Sequence, residues 1–407
     1  MHILLIHQAF ASIEEPGGTR HHELALYLAN RGHCVTVITS PLSYLTGKPE
    51  AGQAGRTANS TPAQSAGEVR IIRPYVYPSL HRSFFHRMIN FFSFMVSSLL
   101  AGLRVNRVDL VWGTSPPIFQ GVTAWLLARL KRKPFLFEVR DLWPAFAVQI
   151  GVLRNPGLIR SSEWLERFLY RHADQVIVNS PGFIDHVVER GARKVKLLPN
   201  GSDTRMFTPQ VNGEGFRQGH EISGKFLALY AGAHGISNDL DVLLDAADQL
   251  REHQEIVFIL LGDGKEKPRL VSRSRAMKLD NVIFLPPIPK KDMPVALAAA
   301  DVCVAILKPI PLYATVYPNK VFDYMAAGKP VVLAIEGVIR KVIEEAQAGI
   351  PVSPGSSQEL AQAVYKLATS PDERDGMGRN GRAYVTEHFD RAMLADKLEK
   401  LMQEMLL

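Results

Sequence analysis

Cysteine is scarce in this sequence: Cys34 and Cys303 stand alone, each inside an apolar, strand-like run. Such positions favour buried free thiols over a disulfide framework or a thiolate metal site. No Asp-x-Asp motif or His/Cys cluster offers a metal site either, so neither a metal nor another cofactor is expected. Long hydrophobic runs are also missing. Within the aromatic-rich segment 84–103 only Met88 to Leu103 is free of charge, sixteen residues. Roughly 20 are needed to span a hydrocarbon core, so a transmembrane helix is not expected. The apolar start Met1–Ile6 lacks a basic n-region and reads as a buried first strand rather than a secretory leader, which points to a cytoplasmic setting. Acid is nearly absent between Glu68 and Glu138. There Asp109 faces Arg70, Arg73, Arg82, Arg87, Arg104, Arg107, Arg129, Lys131, Arg132 and Lys133.

That imbalance, within a chain of net charge +7 and pI near 9.3, attracts anions. No helix-turn-helix, zinc-finger or RNA-binding signature accompanies it, so nucleic acid is not the expected partner. An anionic membrane surface fits better. The run from Arg82 to Arg107 reads as an interfacial helix with basic flanks, lying in the headgroup region at the inner membrane. The same helix could equally pack on its own domain's sheet, and different faces can do both.

With 407 residues, 46% apolar and 21% charged, the chain has material for two cores of ordinary size. Short β-branched runs alternate with helical stretches, the pattern of parallel sheets wrapped by helices. Strands are predicted at Ile3–Ile6, Val35–Thr39, Val69–Ile72, Leu110–Trp112, Phe135–Val139 and Val176–Asn179. A second series runs through Phe226–Ala231, Ile256–Leu261, Val282–Leu285, Val302–Ile306 and Val331–Ala334. Residues 47–67 are small and polar and read as a mobile loop, either a lid or an insertion. Leu394, Leu398, Leu401 and Met405 recur at helical spacing near the end.

The most informative stretch is Tyr313 to Val332. A helix entered through Pro318-Asn319 presents unpaired N–H groups and a positive dipole end, to which Lys320 adds a charge beside a would-be diphosphate. Asp323, three residues on, suits paired ribose hydroxyls, with Thr315 in the loop above. A plain Lys320–Asp323 surface pair is the structural alternative. Elsewhere, Gly17-Gly18 precede a helix, Arg140-Asp141 follow a strand, and the turns around Gly232, His234 and Gly262 end two more. Glycines permit close backbone approach to a ligand. Each of these could also exist for packing, and Arg140-Asp141 could be an ordinary ion pair.

Together these residues resemble the family-4 glycosyltransferases of the GT-B fold, over nearly the whole chain. Thr315-x7-Asp323 stands where the family has Glu-x7-Glu, and Leu198 to Pro209 resembles its interdomain Pro-Asn-Gly-x-Asp stretch. The segment Pro318 to Pro330 is similar to that of the bacterial surface-polysaccharide subset, including N-acetyl-L-fucosamine transferases of O-antigen assembly. The resemblance implies two facing Rossmann-like α/β domains, 1–205 for acceptor and membrane and 206–390 for the nucleotide sugar. A C-terminal helix, 391–407, would return to the first domain.

By the same resemblance, Gly17, Gly18, Gly232, His234, Gly262, Ile288, Thr315 and Asp323 would bind donor, with Arg140, Asp141 and Lys320 catalytic. Arg140 replaces the family's sugar-contacting His, and Ala233 and Asn238 replace its diphosphate-binding Arg and Lys. More of the charge then falls on Lys320. The implied reaction is retaining, metal-independent transfer of a sugar, with N-acetyl-L-fucosamine as the candidate, from a UDP-sugar to a lipid-linked glycan. It would occur on a cytoplasmic enzyme peripheral to the inner membrane. Two other readings stay open: a UDP-N-acetylhexosamine 2-epimerase, and a catalytically silent nucleotide-sugar-binding subunit.

Overall fold

The computed structural model describes residues 1–42, 59–62, 67–78 and 84–407, with the backbone alone at 59–62, 84 and 85. They form two units: Met1–Ile13, Gly17–Pro199 and Leu394–Leu407 make the first, and Glu14–Pro16 with Asn200–Met393 the second. Each unit is α/β, with helices interleaved among the strands of one sheet.

The first sheet contains β1 (His2–Ile6), β2 (Cys34–Ile38), β3 (Asn59–Pro62), β4 (Glu68–Ile72), β5 (Leu110–Ser115), β6 (Phe135–Val139), β7 (Gln175–Val178) and β8 (Val195–Leu197). Their spatial order is β3-β4-β2-β1-β5-β6-β7-β8, parallel except for β3 against β4. Runs such as Ile3 to Ile6 are fully buried, as expected for strands covered on both faces. From β1 the chain proceeds to β2 on one side and returns to β5 on the other. Strand order therefore reverses at β1/β5, where sheets of this kind place ligands beyond the strands' carboxyl ends.

The second sheet is wholly parallel. It is built from β9 (Phe226–Ala231), β10 (Ile256–Leu261), β11 (Val282–Leu285), β12 (Val302–Ile306), β13 (Val331–Ala334) and β14 (Gly349–Pro351), in the order β11-β10-β9-β12-β13-β14. Its reversal point is β9/β12. Two apolar clusters lie among its buried residues, one around Phe322 and Met325, the other around Leu243 and Phe258.

Several expectations change in detail. The loop predicted over 47–67 lies outside the described residues at 47–58 and 63–66, while 59–62 pairs as β3. Gly67 is tightly packed, since a Cβ there would sit 2.1 Å from the Ala29 carbonyl oxygen. Strands β8 and β14 went unpredicted because three-residue edge strands carry too few positions for a period-2 signal. Both cysteines are free, Cys303 buried but Cys34 only half-buried at the strand start. In the Arg391–Glu404 helix, Leu394, Leu398, Leu401 and Met402 are buried, not Met405. Its polar side meets Arg31 through Asp396 and His33 through Glu399.

The Phe84–Leu103 helix has two characters. Asn90, Phe94 and Ser98 are buried, and Gly102 packs so closely that a Cβ would lie 2.5 Å from Leu127 of the Phe119–Lys131 helix. On its other face Phe92, Val96, Leu100 and Leu103 are exposed at a four-, four- and three-residue spacing, with Arg87, Arg104 and Arg107 exposed around them. Arg82 lies outside the described residues. Among the described residues no helix is long and apolar enough to cross a membrane.

Candidate active site

In the second unit, β9 and β10 end in Gly232 and Gly262, both at positive φ, 151° and 150°. A Cβ at Gly262 would lie 1.9 Å from the Gly232 carbonyl oxygen, and one at Gly232 would lie 2.6 Å from Lys320 Nζ. Only glycine lets these strand ends approach each other and the lysine so closely.

Lys320 sits in the first turn of the Asn319–Ala326 helix. Its side chain runs inward, so that Nζ is sealed from solvent without a hydrogen-bond acceptor among the described residues. The amine lies 3.9 Å from the centroid of the Tyr230 ring, a cation–π contact. Tyr230 is itself fixed by its hydroxyl, which donates to the Ala233 carbonyl at 2.7 Å. Burial alone pushes the Lys320 pKa down to about 7. The surface Lys320–Asp323 pair is therefore not what forms: among the described residues the lysine has no carboxylate partner.

His234 follows in the turn after β9, held by its N–H to the Asp263 carbonyl (2.8 Å) and its carbonyl to the Glu266 N–H (3.0 Å). The side chain is buried and neither ring nitrogen has a partner among the described residues. Burial, then Lys267, and Lys320 after it, push its pKa down to about 4 against the pull of Asp263. A neutral imidazole and an amine, both without a hydrogen-bond partner among the described residues, thus lie at the same strand ends. That composition fits an anion.

Asp323, given to ribose in the sequence reading, is already engaged by donors of the protein. It is buried, accepting from Ser202 Oγ (2.7 Å), Lys290 Nζ (2.8 Å) and Asn319 Nδ2 (3.2 Å). A carboxylate has about four lone-pair sites, so these donors leave it roughly one. Its evident work is to bolt the Ser202 segment and the Lys290 turn to the helix. Removing it leaves Lys290 buried without its counter-charge. We expect Asp323→Ala to lower stability by ~3 kcal/mol in urea unfolding of the full chain, with Lys290→Met restoring much of the loss. Additive effects would show that the pair is not coupled.

Thr315 closes a 3-10 turn, Pro311–Thr315, by donating to the Leu312 carbonyl at 2.6 Å. Ile288 is half-buried against the apolar cluster around Phe322. Asp241, in Asp239-Leu240-Asp241, is engaged by Arg269 and Arg273.

In the first unit, Arg140 and Asp141 follow β6. The Asn179 side chain donates to the Arg140 carbonyl (3.1 Å), and Arg140 Nε is buried without a partner among the described residues. Asp141 is exposed; the protein around it pushes its pKa up, Arg140 opposing, and water screens much of that push. Gly17 and Gly18 are exposed. Gly17 has φ 139°, whereas a Cβ at Gly18 would meet Arg140 Nη2 at an ordinary 3.8 Å, so close packing does not require glycine there.

The residue that motif reasoning passed over is Glu138, fully buried in β6. It accepts from Arg20 Nε (3.0 Å), His21 Nε2 (2.8 Å) and Trp112 Nε1 (3.1 Å). Burial opposes its ionisation, yet His21 and Arg20 hold the carboxyl well below the usual range. Arg20 also donates to the carbonyls of Pro199 (2.7 Å) and Leu198 (3.1 Å), tying the helix start to the end of the unit. The signal was available: an acid within Phe-Leu-Phe-Glu-Val is out of place unless paired. Lys290 carried no such signal, being one of two lysines in Pro-Lys-Lys-Asp. Among the described residues, no cluster of three or more His, Cys, Asp or Glu could hold a metal.

Comparison with known proteins agrees with this architecture. Residues 17–201 match the model of the glycosyl transferase 4-like domain and residues 225–370 that of glycosyl transferases group 1. WcaI of Escherichia coli (strain K12), named for glycosyl transfer in colanic acid biosynthesis, is 25% identical over 325 residues, 77% of this chain and 78% of its own. Sucrose-phosphate synthase from Thermosynechococcus elongatus superposes with TM-score 0.80 at 18% identity, covering 99% of this chain and 98% of that one. Anabaena HepE in complex with UDP-glucose gives 0.73 at 20% identity, covering 99% and 100%. By these matches the chain belongs to the family-4 glycosyltransferases of the GT-B fold.

Proposed function

We propose that the enzyme transfers a sugar, with retention of anomeric configuration, from a UDP-sugar to a lipid-linked glycan during assembly of a bacterial surface polysaccharide. The carrying observation is the unpartnered Lys320 Nζ, sealed against Gly232 and Tyr230 beside an unpartnered His234. A diphosphate placed there supplies acceptors to both. In the transition state, charge grows on that leaving group, and a preorganised cation with neighbouring N–H donors stabilises it more than the ground state. Asp141 is the group in the first unit for an acceptor hydroxyl. Asp323 contributes its remaining lone pair to the ribose, and Thr315 lies ahead of the helix where it can touch the donor sugar. The UDP and polysaccharide parts of this reading draw support from WcaI and from HepE, whose complex holds UDP-glucose. N-acetyl-L-fucosamine is the candidate sugar, on the similarity of Pro318 to Pro330.

A panel of UDP-sugars, incubated with membranes and with none, tests this. Nucleotide release that depends on membranes is expected for at least one sugar. Epimerised UDP-sugar without acceptor would make the chain an epimerase instead, and UDP binding without any turnover would make it a silent subunit.

The exposed Phe92, Val96, Leu100 and Leu103 stripe, rimmed by Arg87, Arg104 and Arg107, is the surface we assign to the inner membrane. Each basic residue near an anionic surface contributes ~1 kcal/mol. Co-sedimentation with phosphatidylglycerol vesicles is expected, falling with salt and dropping about tenfold or more for Leu100→Glu, whose buried apolar contact is lost and whose added charge is repelled. Equal binding to phosphatidylcholine vesicles would remove the basic rim from the explanation.

A further inference from the structure

Tyr324 lies one turn beyond Lys320 on the Asn319–Ala326 helix, and its side chain is buried. A buried phenol is costly unless its hydroxyl finds partners. Here the hydroxyl donates to the Ala231 carbonyl at 3.1 Å and accepts from the Ala231 N–H at 3.0 Å. Both roles are fixed by chemistry, because a carbonyl only accepts and an amide N–H only donates.

Ala231 is the last residue of β9, at the reversal point of the second sheet. On one side β9 pairs with β10 along its whole length, from Phe226↔Ile256 to Ala231↔Leu261. On the other its pairs with β12 are Ala228↔Val302 and Leu229↔Cys303. Among the described residues that ladder ends two residues short of Ala231. Leu227 gives its carbonyl to the Asp301 N–H on the β12 side, and Gly232 gives its N–H to the Leu261 carbonyl on the β10 side. By the alternation of a strand, Ala231 turns both its polar groups toward β12. The phenol of Tyr324 takes the ladder position beyond the last β9–β12 pair, where the two strands part. The neighbours of Ala231 are the residues against which the Lys320 amine rests. Nζ is 3.9 Å from the Tyr230 ring centroid, and a Cβ at Gly232 would lie 2.6 Å from it. One helix thus grips consecutive residues of β9, with Lys320 at Tyr230 and Gly232 and Tyr324 at Ala231 between them.

We propose that Tyr324 is a positioning residue for the donor diphosphate: its hydroxyl sets the spacing between the end of β9 and the helix of Lys320, and so holds the amine against Gly232. The proposal rests on the reading that Lys320 receives the diphosphate. A phenylalanine at 324 keeps the ring in the core but leaves the Ala231 N–H and carbonyl without this partner. The packing stays and the tie is lost.

The test is calorimetric titration of UDP into the full chain across about pH 6 to 9, for wild type and Tyr324→Phe. Met325→Ala is the control: it removes a buried side chain of the same helix, packed beside Gly381, and leaves the hydroxyl in place. In Tyr324→Phe the UDP Kd at pH 7 is expected to rise about tenfold, the usual worth of a buried hydrogen bond. The pH above which Kd climbs is expected to move upward from about 7, because an amine no longer held against Gly232 regains water. Met325→Ala is expected to lower stability in urea while both readings stay as in wild type. A wild-type Kd or an unmoved pH break in Tyr324→Phe overturns the proposal and leaves the hydroxyl a structural bond only, as do equal changes in Met325→Ala. Amide exchange of the wild-type chain gives a second test that needs no variant to fold. UDP is expected to slow exchange at Ala231 about tenfold more than at Leu229, since ligand and Tyr324 bond favour the same arrangement. Equal slowing overturns the proposal. Lys320→Met, titrated alongside, reports separately on the donor reading: unchanged UDP affinity there would take the diphosphate away from Lys320 itself.

Discussion

Lys320→Met is expected to raise the thermal midpoint of the unliganded chain and to abolish its stabilisation by UDP. The amine is sealed, without a partner among the described residues, and held near a pKa of about 7, against an ordinary lysine value of about 10.4 in the unfolded chain. Burying it without an acceptor is unfavourable, and a thioether of similar length keeps the packing over Tyr230 without that penalty. A gain of ~1–2 kcal/mol is the usual size when a functional group held against stability is replaced. The same change removes the cation that meets the diphosphate, so turnover is expected to fall by about 10²–10³. Thermal shift with and without UDP, and kcat/KM for the active UDP-sugar, read the two effects. A variant less stable than wild type but fully active would remove Lys320 from the donor site.

The pH dependence follows with opposite signs for stability and binding. Because the folded pKa is depressed, the unfolded chain binds the extra proton between pH 7 and about 10, so unliganded stability from this group rises across that window. UDP requires the ammonium, so its Kd should rise above pH 7, by up to about tenfold per unit. Its phosphate is already fully ionised there, and His234, with a pKa of about 4, stays neutral. A Kd flat from pH 7 to 9 in wild type, or the same slope in Lys320→Met, would sink the assignment.

Glu138→Ala is expected to have the largest effect on stability in the first unit. Three donors converge on one fully buried carboxylate, and Arg20 is permanently charged. Losing the acceptor strands a guanidinium in the core, for which ~3–5 kcal/mol is usual. The loss should appear in urea unfolding and as soluble yield at 37 °C. Glu138→Gln should fall between, since an amide oxygen still accepts from Arg20 but its NH2 confronts another donor. Tm changes below about 2 °C in Glu138→Ala, well short of what such a loss gives in a unit of this size, would show the network to be peripheral.

How legible these groups were differed with the kind of signal each carries. Strands such as Phe226–Ala231 and Ile256–Leu261 were read to the residue, because a strand buried on both faces must be a continuous apolar run between turn residues. Gly232 and Gly262 were singled out as strand-end turns of the donor region, but what approaches them, the Lys320 amine and a neighbouring carbonyl, depends on contacts from distant parts of the chain. Asp323 was correctly put on the helix with Lys320, yet Lys290 and Ser202, 33 and 121 residues away, take most of its hydrogen-bonding capacity.

By itself the chain's order of residues determined the alternation of strand and helix, the division of apolar material into two sheets and the family. Those follow from periodicity, turn chemistry and short motifs, all of them local in sequence. Tertiary structure alone decided which polar groups are satisfied: among the described residues Lys320 and His234 are left open, and Asp323 and Glu138 nearly filled. Hydrogen bonds saturate at atoms, and their partners come from segments as far apart as His33 and Glu399, 366 residues, so no local pattern carries that information.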